Sequence, residues 1–393
     1  MQIFFVHPTD LISDSDAISN YIRGIKEEAL NNNIVFIGKT RGNPSSTPKT
    51  VFSYLRVPET IKILVLLLII RLTKRKCLNG SLLSFHQIEW ALPFIFGPKS
   101  FCIIITIHGF HGHYLIDLVH SKKSIRLILK CWFYKFIEPI ILKKADAIIC
   151  VSKERKRHYL SKYPNLSAKI FYIPPYVNIK KFSPLSSVER IEMRKYYGYD
   201  TDDFVGVFLG RLENGKGLQE IIDAVKYLSD SGENIKLLIV GKGSLLNSLQ
   251  HKVSEACLED TIKFICQQPH LDIPVILSSC DLLILPSIAE GTPMSVLEAL
   301  SCGVPVACFS AGDLPLIIDN QKNGFCTEKK DVDGLIQVIL KTLSLQENKD
   351  CKANCIASVN QYSSSRIIPI ILDSYEIIYR KFIESQNNKM DLK

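Results

Sequence analysis

Two carboxylates, Glu290 and Glu298, stand with seven residues between them in LLILPSIAEGTPMSVLEALSCGVPVAC, residues 282–308. Paired carboxylates beside a sugar bond serve by default as general acid and base, whereas a lone helical glutamate is ordinarily a solvated surface residue. Upstream, GRLENGKG carries two cations, Arg211 and Lys216, between glycines that allow tight turns. Cations at a strand end beside a helix N-terminus make an anion site of the kind a diphosphate requires. A third constellation is ITIHGFHGH, with His108, His111 and His113 at the end of an apolar run. Asp117 is the only carboxylate close by, and the spacing fits no standard zinc motif, so no metal site is expected.

The elements that must position these groups follow from periodicity. Residues 282–285 are an apolar run short and branched enough for a buried parallel strand, stopped by Pro286. A loop with Glu290 and Gly291 follows, and Thr292 is expected as N-cap with Pro293 at the first helical position. The helix covers 294–300 and ends at Gly303 and Pro305, with the next strand at 304–308. Residues 204–209 read as a strand running into GRLENGKG and a helix. Residues 234–240 read as another, where Gly241 and Gly243 would let backbone approach a nucleotide, and 262–266 as a third, after which Gln267 or Gln268 could meet the base. In the first half, strands are expected at 2–7, 34–38, 81–87, 101–107 and 145–152, with helices at 17–31, 89–96 and 121–144. Strands alternating with helices make an α/β architecture with parallel sheets. Closing helices are read at 331–343 and 363–384, with a boundary near Pro184 and a charged connecting helix at 185–199. The expected domains are therefore 1–184, 185–362, and a 363–393 segment of helix and tail.

Charge divides the chain. Residues 1–190 hold 28 Lys and Arg against 12 Asp and Glu, and residues 191–393 hold 20 against 27. The basic half favours an anionic surface or ligand. No zinc-finger spacing, helix-turn-helix or RNA-binding aromatic motif supports nucleic acid, so anionic lipid is the expected partner. Residues 121–144 interleave seven cations with Trp132, Phe133, Tyr134 and Phe136. Either an interfacial amphipathic helix or a core helix with a solvated basic face fits them, and Pro139 should kink or interrupt it. The apolar stretch 57–76, closed by Arg71, Lys74, Arg75 and Lys76, fits a buried helix with a basic cap or a membrane contact. The 12 cysteines form no CxxC pair, and without a signal peptide they are expected to be reduced, in a protein that is cytoplasmic and peripheral at the inner face of the membrane.

The string PSxxEGxPxxxLEAxxxGxPV, with GR and KG upstream, resembles the E-x7-E signature of retaining glycosyltransferase family 4, as found in bacterial polysaccharide and O-antigen enzymes. The resemblance implies the GT-B fold, two Rossmann-like domains facing a central cleft, and metal-independent sugar transfer from a UDP- or GDP-sugar with no further cofactor. It further implies that Gly210, Arg211, Lys216 and the helix N-terminus at Gly291, Thr292 and Pro293 hold the diphosphate. Glu290 would hold donor hydroxyls and Glu298 the ribose, with Gly241 and Gln268 near the nucleoside and His108 beside the donor sugar. The sequence departs from the pattern at 11–16, where no glycine-rich turn follows the first strand and Ser13, Ser15 and Asn20 are the polar candidates. It departs again at 310–318, where Asp313 and Leu316 replace a glycine and a glutamate. The acceptor is expected to be a lipid-linked saccharide in surface polysaccharide biosynthesis. The alternatives are a soluble acceptor or a catalytically silent scaffold. Asp14–Asp16 and Asp331–Asp333 imitate the metal-binding DxD of another glycosyltransferase fold, but neither follows a strand beside the diphosphate motif.

Overall fold

A computed structural model describes residues 2–6, 17–28, 34–37, 67–68, 71–72, 78–97, 100–108, 125–345 and 348–390. Most of 57–76, the loop 11–16 with Ser13 and Ser15, and His111, His113 and Asp117 lie outside them. The chain forms two compact units, Met1–Pro174 with Ile368–Lys393, and Pro175–Ile367.

In the first unit the strands are β1 (Ile3–Val6), β2 (Ile34–Ile37), β3 (Leu82–Phe85), β4 (Cys102–Ile107), β5 (Ala147–Cys150) and β6 (Ile170–Tyr172). They pair in the order β2-β1-β3-β4-β5-β6, all parallel. A parallel sheet covered on both faces needs unbroken apolar strands rather than alternation, and β1, β3, β4 and β5 are buried at every position. The helix Ile125–Lys144 continues past Pro139, so of the expected kink or interruption the interruption does not occur. The short helix expected at 89–96 is a 3-10 helix at Ile88–Phe94, with Pro93 inside it.

The second unit contains β7 (Phe204–Leu209), β8 (Ile235–Val240), β9 (Ile262–Ile265), β10 (Leu282–Leu285), β11 (Val306–Phe309) and β12 (Gly324–Thr327). Their order is β12-β11-β10-β7-β8-β9, again parallel throughout. Helices connect successive strands, among them Leu218–Asp230 after β7 and Met294–Ser301 after β10. Val177 and Phe182 are buried in this unit's core, and Val177 bridges Ser363, so the unit begins ahead of the boundary read at Pro184. The connecting helix, Ser187–Tyr196, starts with a capping box between Ser186 and Glu189. Arg194 on it reaches Asp281 Oδ2 at 2.7 Å, and that oxygen also accepts from the Val205 amide at 2.7 Å. All of these groups are buried, so removing one partner strands a charge at a cost of about 3–5 kcal/mol.

Candidate functional site

The carboxyl ends of β7 and β10 are joined by two interlocked loops. Gly217 has φ 68°, and a Cβ there would stand 1.9 Å from the Pro286 carbonyl oxygen. Only glycine allows the loop after β7 to pass so close to the loop after β10. The Ile288 amide donates to the Gly215 carbonyl at 2.9 Å and ties the two together. This interlock sets Lys216 Nζ 2.6 Å from Glu290 Oε1, with side chains only 22% and 12% exposed. Arg211, in the same loop, is well exposed and lies 3.0 Å from Glu213 Oε2.

Two helices begin at this place. Leu218–Asp230 starts after Gly217, which has no side chain to cap it. Met294–Ser301 starts after Pro293, which is the N-cap and also makes no side-chain cap bond. Thr292 is therefore not the N-cap expected from sequence. Its hydroxyl instead donates to Asp313 Oδ2 at 3.0 Å, while the Asp313 amide donates to the Gly291 carbonyl at 2.9 Å. Asp313, which replaces a glycine of the pattern, thus competes for Thr292 and holds the Glu290 loop from behind. The uncapped amides of both helices carry the positive end of the helix dipole.

Glu298 lies on the helix Met294–Ser301 and is buried, with Oε1 2.9 Å from His270 Nε2. The His270 ring packs against Phe182, 5.1 Å between centroids. A solvated helix residue does not fit this position. Gly241 has φ 156°, and a Cβ there would stand 1.9 Å from the Gly210 carbonyl oxygen. These two glycines therefore bring the ends of β8 and β7 together. Gln268 turns its amide back onto the Cys266 carbonyl at 3.0 Å. Gly210, Arg211, Lys216, Gly241, Glu290, Gly291, Thr292 and Pro293 all fall at the carboxyl ends of adjacent strands, where open α/β sheets bind ligands.

His108 closes β4 in the first unit. Its Nε2 is 2.7 Å from His86 Nδ1, with the rings stacked at 5.0 Å and Tyr21 edge-on at 5.2 Å. Next to this pair, Ser84 Oγ is 2.8 Å from the Tyr375 hydroxyl. Burial pushes the Tyr375 phenol above its ordinary range, so its hydroxyl stays neutral. Asn20 is half-buried on the helix Ala17–Glu28. His86 and His270 carry no motif in the sequence. The signal available for His86 was its place at the end of β3, the strand beside β4.

Asp331 accepts from the Gly334 amide at 2.8 Å and caps the helix Val332–Ser344, which accounts for that DxD string without a metal. Among the described residues no group of three or more His, Cys, Asp or Glu could hold a metal ion. Among them also no helix is long and apolar enough to cross a membrane.

Residues 189–356 match the family model described as Glycosyl transferases group 1. An Escherichia coli protein named UDP-Gal:alpha-D-GlcNAc-diphosphoundecaprenol alpha-1,3-galactosyltransferase is 27% identical over 268 residues, which are 66% of this chain and 65% of that one. The chain spans about half the length of several other curated relatives it matches. Among solved structures, a sucrose-phosphate synthase from Thermosynechococcus elongatus superposes with a TM-score of 0.78 at 19% identity, covering 97% of this chain and 100% of that one. The Anabaena protein HepE, solved with UDP and glucose, gives 0.71 at 16% identity, covering 96% and 99%. At these identities the structural likeness speaks to architecture alone. The architecture is GT-B, with two Rossmann-like α/β units.

Proposed function

We propose that this chain is a glycosyltransferase of the EC 2.4 type that moves a sugar from a nucleotide-sugar to a hydroxyl of a lipid-linked saccharide, with retention at the anomeric carbon. The observation that carries the reading is the meeting of Lys216 and Glu290, 2.6 Å apart, at the start of two helices without side-chain caps. Cations and fixed amide dipoles stabilise a leaving diphosphate as negative charge develops on it. In the transfer, the acceptor oxygen bonds the anomeric carbon, the bond from that carbon to the diphosphate breaks, and the acceptor hydroxyl's proton passes to the departing nucleoside diphosphate. Lys216 and Arg211 meet the diphosphate, which dispenses with a metal cofactor. Glu290 accepts from donor hydroxyls and Glu298 from the ribose, and His108 is the residue that the family resemblance assigns to the donor sugar.

The lipid-linked acceptor is supported by the name of the Escherichia coli relative, which specifies a diphosphoundecaprenol-linked sugar. It is supported again by the helix Ile125–Lys144, where Phe136 and Ile140 are exposed together with Lys135, Lys143 and Lys144. Aromatic and basic side chains on one helix face suit the headgroup region of an anionic leaflet, as in a peripheral enzyme of surface polysaccharide or O-antigen assembly within family 4.

The test is incubation with UDP- and GDP-sugars and polyprenyl-diphosphate saccharides, read by mass spectrometry. A product one sugar heavier, lost in Glu290→Ala, is expected. Nucleotide binding with no turnover on any acceptor would point to a silent scaffold instead.

A further inference from the structure

We infer that Glu290 and Glu213 act as internal counter-anions which keep the diphosphate site selective for the sugar ester over the free nucleoside diphosphate. The inference rests on the donor-site reading above and concerns release of the product. Each of the two cations in the loop after β7 already faces a carboxylate: Lys216 faces Glu290 at 2.6 Å, and Arg211 faces Glu213 at 3.0 Å. The attraction left for an incoming phosphate is what remains after those two carboxylates, plus the amides of the two helix starts.

A sugar nucleotide and a free nucleoside diphosphate meet this arrangement differently. The sugar ester brings hydroxyl donors with its diphosphate, so when Lys216 turns to phosphate, Glu290 gains partners in exchange. The free diphosphate instead ends in an unesterified phosphate with additional negative charge and no donors. Glu290 then gives up the Lys216 ammonium and faces a like charge in a site where its side chain is only 12% exposed, and poorly hydrated charge of one sign repels strongly. The pair therefore favours departure of the diphosphate once the sugar is gone. Gly217 and the bond from Ile288 to Gly215 hold the two loops together, so the Glu290 loop stays beside the phosphate when the Lys216 side chain turns to it. The Arg211–Glu213 pair is more exposed, so water screens it and its share is smaller.

The test is calorimetric titration of the full chain with UDP and with GDP, in wild type, Glu290→Gln and Glu213→Gln. Glu290→Gln should tighten the diphosphate that binds by about tenfold even as transfer falls, since one partly buried like charge is removed. Glu213→Gln should tighten it by about twofold, and because that pair is at the surface, it remains readable should Glu290→Gln fail to fold. A wild type that binds a diphosphate and transfers sugar, with dissociation constants unchanged or raised in both variants, overturns this inference and leaves the donor-site reading standing. Failure of all three proteins to bind either diphosphate overturns both.

Discussion

The two units arrange their polar residues in different ways. In the first, the group behind His108 is built from imidazoles, hydroxyls and aromatic rings: His86 against His108, Ser84 against Tyr375, with Phe5 and Tyr21 packed around them. In the second, polar groups come as charged pairs at helix starts and strand ends, such as Lys216 with Glu290. Hydrogen bonds between rings and hydroxyls fix ring orientation and tautomer. Charged pairs hold sites ready to exchange partners with a charged ligand. The contrast teaches that in this reading the second unit handles phosphate charge and the first handles neutral hydroxyls.

That contrast can be broken at its charged side first. Lys216→Ala should lower kcat/KM about a thousandfold in a coupled assay of donor consumption, the scale of losing one cation aimed at developing charge. A loss of only a few fold would place the phosphate elsewhere. In the first unit, His108→Ala should reduce kcat/KM about a hundredfold, and His86→Ala about tenfold, through kcat more than KM, because His86 orients a ring rather than binding donor. His86→Ala should also shift the His108 ring nitrogen resonances in nitrogen-15 NMR, because Nε2 loses its hydrogen-bond partner. His270→Ala should raise donor KM about fivefold with kcat nearly kept, by releasing Glu298 from a single hydrogen bond. An effect no larger concerns the surface: Lys143→Ala should weaken flotation on anionic vesicles about fivefold at physiological salt and leave neutral vesicles unaffected.

Legibility in the sequence followed the same division. β7 and β10 fall where apolar runs bounded by Asp, Gly and Pro placed them, and the motif residues of the second unit gather at neighbouring strand ends. The edge strand β12 was not read, since GFCT is short and only partly buried and presents neither an apolar run nor alternation. The helix Leu246–Glu255 was likewise missed, as it follows a glycine turn with no side-chain cap bond. Thr292 was read as a cap because local chemistry favours it; a partner distant in sequence, Asp313, takes its hydroxyl. His86 and His270 depend on strand register and on packing against Phe182, neither of which a linear pattern carries. Pro139 read as a kink or break, and the helix continues past it.

The most direct measurement is proton NMR of the product formed from an α-linked nucleotide-sugar, taken in parallel for wild type and Lys216→Ala. The account predicts a small anomeric coupling that marks an α-linked product in wild type, and near-complete loss of that product in the variant. A β-linked product, or undiminished transfer without the Lys216 ammonium, would contradict it.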